Sequence, residues 1–132
     1  MKGLSVLIVE DCHLMASALE VMLADAGAEI VAVAPSIAAA LSAIERHPVD
    51  IACLDIDLGY ETSFAVADTL ALRGIPFVFV TAHQAHVVPP AHRGRPFIGK
   101  TEAHLDLVIA CRAAAQSCVV SGGAGRPVPV SS

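Results

Sequence analysis

Residues 52–61 read ACLDIDLGYE, a run of small and apolar side chains that ends in two carboxylates, Asp55 and Asp57. An unpaired buried carboxylate is costly or takes up a proton, so strand-like sequence rarely carries one without a use. Asp50 to Leu54 has strand length, and Asp55 stands where that strand stops. Whether the strand is a parallel one, buried on both faces, decides how the rest of the chain folds.

Upstream, Leu4 to Val9 (LSVLIV) is a continuous apolar run suited to a parallel strand covered on both sides. His13 to Ala26 follows as a helix, with Leu14, Ala18, Val21 and Met22 at helical spacing and Gly27 as its stop. Glu29 to Val33 is a second strand. Ser36 can cap a helix that runs to about His47, where Pro48 closes it.

Downstream, Thr62 to Arg73 forms a helix with Gly74 past its end, and Phe77 to Val80 (FVFV) is a fourth strand. His83 to Arg95 contains Pro89, Pro90 and Gly94, so a fourth helix is short or broken. Pro96 to Ile98 is a short fifth strand at a sheet edge. Thr101 can cap a last helix reaching about Ala115. Ser117 to Ser132 (SCVVSGGAGRPVPVSS) has no period and reads as a flexible tail. The expected division is one domain over 1–116 and the tail over 117–132. Strand–helix alternation repeated along the chain specifies α/β architecture, a parallel sheet with helices on both faces.

Composition agrees. The chain has 132 residues, 55% hydrophobic and 16% charged, against about 25% charged in an average domain. One buried core is the expectation. The net charge of -5 and the scatter of the eight Lys and Arg argue against direct binding to nucleic acid. The uncharged stretch Ile30 to Ile44 is shorter than the ~20 residues of a membrane span, and MKGLSVLIVED carries no cleavage-like site. Cys12, Cys53, Cys111 and Cys118 form no C-x-x-C pair and read as reduced packing residues of a cytoplasmic protein.

In parallel sheets the active groups lie beyond the carboxyl ends of the strands. The strand ends offer Glu10 and Asp11, then Asp55, then Thr81, with Lys100 shortly after the fifth strand. If these strands are neighbours, three carboxylates, a hydroxyl and an ammonium share one rim. Carboxylates that close together need a cation, and hard oxygen ligands suit Mg²⁺. Asp55 can act as a nucleophile toward phosphorus, with Thr81 and Lys100 neutralising the transferred group. Asp57 lies past it in the loop, and its backbone carbonyl, rather than its carboxylate, is expected to face the metal.

VLIVED, CLDIDLG, FVFVTA and PFIGK, in this order and spacing, resemble the receiver domain of response regulators in two-component signalling. The likeness covers residues 3 to about 115. It implies a flavodoxin-like (CheY-like) doubly wound five-stranded parallel sheet in the order 2-1-3-4-5. It also implies Glu10 and Asp11 as the acidic metal pair for Mg²⁺ and Asp55 as phosphoacceptor. Thr81 and Lys100 then bind the phosphoryl group, Ala82 leaves access to it, and Thr81 and Phe97 act as the switch pair. The implied donor is a histidine kinase or a histidine phosphotransfer protein. A downstream protein then receives the signal from a monomer or weak homodimer.

Departures from the family are visible. Thr101 stands where proline usually follows the lysine, and Leu58–Gly59 replaces the common Met-Pro-Gly. His83, two after Thr81, is placed to screen an acyl phosphate from water. The remaining histidines read as surface or loop residues, Cys12 as a small packing residue and Phe97 as core packing compatible with a switch. No output segment is expected after residue 116, which points to a single-domain regulator rather than an enzyme. Two other readings compete: a degenerate receiver that binds partners without phosphorylation, and a haloacid-dehalogenase-like phosphohydrolase, whose D-x-D motif Asp55-Ile56-Asp57 resembles. That second family places its pair after the first strand.

Overall fold

The structure, a computed structural model, describes residues 3–59, 61–81, 89–92, 94–99 and 111, with the backbone alone at 81 and 97–99. Five strands are formed by the apolar runs: β1 Ser5–Val9, β2 Glu29–Ala34, β3 Ile51–Leu54, β4 Phe77–Thr81 and β5 Phe97–Gly99. Three helices join the first four: α1 His13–Asp25, α2 Ile37–Arg46 and α3 Phe64–Leu72. A 3₁₀ turn, Pro90–His92, lies between β4 and β5. Of the stretch 83–95 expected to hold a short or broken fourth helix, 83–88 and 93 lie outside the described residues, as do the expected last helix and tail on 101–132 apart from Cys111, which is helical.

All strands are parallel, in the order β2-β1-β3-β4-β5. This is the expected doubly wound sheet. Its faces follow from side-chain alternation. Leu7, Val9, Ala52, Leu54, Phe77 and Phe79 point to one side, where Ala40, Ala43 and Ile44 of α2 and Val66, Ala67 and Leu70 of α3 cover them. Val6, Ile8, Ile51, Cys53, Val78 and Val80 point to the other, under Leu19 and Leu23 of α1 and Cys111. The strands read as unbroken apolar runs because both faces are dry. Phe77 and Phe79 pack edge to face at 5.5 Å.

Local signals set the helix ends. Ser36 is the N-cap of α2, its hydroxyl accepting from the Ala39 amide at 3.2 Å. Gly27, φ +101°, follows the end of α1 in the left-handed region and lets the chain turn into β2.

The buried face of α1 is not the expected one. Leu14 and Val21 are 85% and 61% exposed, and the buried positions are Ala16, Leu19 and Leu23. The helix is apolar on two stripes, and the one with Ala16, Leu19 and Leu23 meets the sheet. His92 also departs from the surface reading: it is 3% exposed, with Nε2 at 2.7 Å from Asp68 Oδ1 of α3. Its ring packs edge-on to Phe77, over which the Arg95 guanidinium also lies.

Candidate functional site

The sheet register builds the site. Val9 pairs with Leu54, Leu54 with Phe79, and Phe79 with Phe97, so one row crosses β1, β3, β4 and β5. The next residue of each strand forms the next row, in which Glu10 follows Val9 and Asp55 follows Leu54. Two hydrogen bonds carry the ladder past the strand ends: the Glu10 amide donates to Ala34 O and the Asp55 amide to Val9 O, both at 2.9 Å. The backbone at Glu10 and Asp55 is therefore fixed with strand precision although neither lies inside a strand.

Their side chains converge. Glu10, Asp11 and Asp55 each present a carboxylate oxygen within 4.8 Å of the others. Glu10 and Asp55 are buried, at 2% and 4% exposure, while Asp11 opens to solvent. Glu10 Oε2 accepts from the Cys12 amide at 3.2 Å, which aims the carboxylate back toward the rim. Three hard oxygen donors, two buried and one exposed, fit a small divalent cation that keeps some of its waters. Like charges this close repel when no cation lies between them.

Cys12 itself is exposed, not packed in the core, and it is the N-cap of α1 without a side-chain cap bond. Glu10 and Asp11 do not cap the helix in its place.

The loop after β3 wraps the rim. Asp57 uses its carboxylate locally: Oδ1 accepts from the Gly59 amide at 3.2 Å, while the Asp57 amide faces Asp55 Oδ1 at 3.4 Å. Asp57 and Thr62 form an antiparallel bridge, and the Ser63 amide donates to Ile56 O. Ile56 and Leu58 are buried beneath this loop. Gly59, φ +86°, brings the chain back so that a Cβ there would lie 3.7 Å from Asp11 Oδ2. Glu61 Oε2 accepts the Ile37 amide at 3.1 Å, tying the loop to the start of α2. That last contact joins residues 24 apart and leaves no local mark in the sequence.

Thr81 closes β4 and pairs with Gly99, so the chain that continues to Lys100 starts beside it. Phe97 stands in the Leu54–Phe79 row, below the level of Asp55. Lys100, Ala82 and His83 lie outside the described residues. Asp55 and Asp57 follow the third strand, not the first, which removes the feature on which a dehalogenase-like reading rests.

The profile of the family described as "Response regulator receiver domain" matches residues 6–92. The chain belongs to the response-regulator receiver family. Receivers are regulatory domains of two-component signalling that generally hold Mg²⁺ in an acidic pocket, and their role depends on phosphorylation. Among solved structures, the chain is similar to SdrG from Sphingomonas melonis Fr1, at 38% identity over 88% of this chain and 99% of that one, TM-score 0.75. It is also similar to the signal receiver domain of a modulated diguanylate cyclase from Desulfovibrio desulfuricans G20, at 25% identity over 89% and 97%, TM-score 0.77. A CheY-like receiver from Methanospirillum hungatei JF-1 shares the fold at 22% identity over 90% and 98%, TM-score 0.78. No curated protein matches the chain. Among the described residues no helix is long and apolar enough to cross a membrane.

Proposed function

We propose that this receiver is a phosphoryl-accepting switch in which Asp55 takes a phosphoryl group from a phosphohistidine of a histidine kinase or histidine phosphotransfer protein. The observation that carries the reading is the convergence of Glu10, Asp11 and Asp55 oxygens within 4.8 Å of one another at neighbouring strand ends. A carboxylate oxygen of Asp55 forms the new bond to phosphorus, and the bond from phosphorus to the histidine nitrogen breaks.

Glu10, Asp11 and Asp55, with the Asp57 backbone carbonyl, are the residues that would hold Mg²⁺. When bound, the ion neutralises charge on the phosphoryl oxygens. The Thr81 hydroxyl and the Lys100 ammonium hold the remaining oxygens. Ala82 keeps the entry open, and His83 screens the acyl phosphate from water. The fixed ladder bond at Asp55 limits how far the nucleophile can wander, so positioning comes from the sheet.

Phosphorylation adds charge beside the end of β4, and Thr81 and Phe97 convert it into a change of shape passed to a downstream protein. The protein acts in the cytoplasm as a monomer or weak homodimer, with residues 1–116 as the receiver and 117–132 as a tail.

Acetyl phosphate with Mg²⁺ should add one phosphoryl group, located at Asp55 by trapping and peptide mapping and absent in Asp55→Asn. A folded protein that stays unmodified with both acetyl phosphate and a phosphorylated kinase would point instead to a phosphorylation-independent binding module. Turnover of a small phosphate ester would contradict both.

A further inference from the structure

Cys53 of β3 and the helical residue Cys111 bring their sulfurs to 3.5 Å inside the core under α1. Both are buried, at 1% and 0% exposure, and they are separated by 58 residues. Core packing needs only two small apolar groups here. It does not need two thiols facing each other, the one arrangement in which a single bond could join the strand to the helix. A disulfide requires the sulfurs to close from 3.5 Å to about 2.05 Å.

We propose that Cys53 and Cys111 are a redox modification site, forming a reversible intramolecular disulfide when the protein meets a peroxide. The chemistry balances. One thiolate sulfur attacks a peroxide oxygen, the O–O bond breaks, and a sulfenic acid and water result. The second thiol then attacks that sulfur, the S–O bond breaks, and the oxygen leaves as a second water. Two electrons pass from sulfur to oxygen, and one peroxide becomes two waters.

The setting determines when this happens. Both sulfurs are buried, so oxidation proceeds through openings of the core that admit peroxide. The bond then ties Cys111 to β3, two residues before Asp55. The inference stands apart from the phosphoryl reading, since it concerns sulfur geometry alone.

The test is treatment of the folded full chain with hydrogen peroxide, alkylation of remaining thiols, and non-reducing peptide mapping. The expected product is a Cys53–Cys111 linked peptide with loss of two hydrogens, restored by dithiothreitol and formed faster in mild urea. It should form equally in a Cys12→Ser/Cys118→Ser variant, which keeps both partner thiols. Circular dichroism confirms that the fold persists. Intact thiols at both positions under peroxide that fully oxidises glutathione would overturn the proposal. So would sulfinic acid at either position, or bridges only through Cys12 or Cys118.

Discussion

The amide of Asp55 donates to the carbonyl of Val9 at 2.9 Å, extending the β1–β3 ladder one residue past both strands. That bond holds the proposed nucleophile beside Glu10 and Asp11. The site is thus an extension of the sheet, and its chemistry depends on residues that the strands themselves position.

Crowding of the carboxylates sets the first prediction. Without a divalent ion, Asp11→Asn should raise the melting temperature by removing one of three like charges within 4.8 Å. Saturating Mg²⁺ should stabilise the wild type, by about 1.4 kcal/mol at ten times Kd, and stabilise the variant much less. Thermal denaturation in chelator and in Mg²⁺ measures both. A variant stabilised by Mg²⁺ as much as the wild type would remove Asp11 from the site.

The face of α1 gives the second. Leu23→Ala, at a fully buried position, should cost about 2–5 kcal/mol. Leu14→Ala, at 85% exposure, should stay within about 0.5 kcal/mol. Urea denaturation of the pair distinguishes the observed face from the alternative stripe.

A third concerns the latch between the 3₁₀ turn and α3. His92→Ala removes a ring packed on Phe77 and leaves a cavity, a loss of about 2–4 kcal/mol. Asp68→Ala should cost under about 1 kcal/mol, because the Asp68 side chain is 68% exposed and its bond is screened. Equal losses in equilibrium unfolding would show the hydrogen bond, not the packing, to be the main contribution.

The fourth lies in the loop clamp. Glu61→Ala frees the Ile37 amide and the turn that carries Gly59 against Asp11. Stability should fall by at most about 1 kcal/mol, while phosphorylation by acetyl phosphate slows several-fold as the loop loosens. Unchanged phosphorylation kinetics would limit Glu61 to a capping role.

The sequence carried the strands, their parallel arrangement and the acidic rim, because apolar runs buried on both faces and carboxylates at their ends are local signals. It misplaced the α1 face because His13–Asp25 has apolar residues on more than one stripe, and only the sheet selects Leu19 and Leu23. His92–Asp68, Glu61–Ile37 and Cys53–Cys111 were not legible, since each joins residues 24 to 58 apart by contacts that exist only after folding. The roles of Thr81, Phe97 and Lys100 rest on resemblance and on the β4–β5 register, which sets Gly99 beside Thr81.

The most direct test of the acidic rim is paramagnetic. Mn²⁺ titrated into the labelled protein should first broaden the amide signals around Glu10, Asp11, Asp55 and Gly59, with excess Mg²⁺ restoring them and Asp11→Asn weakening the effect. Broadening centred elsewhere, or broadening that Mg²⁺ does not reverse, would contradict a divalent-ion site at the ends of β1 and β3.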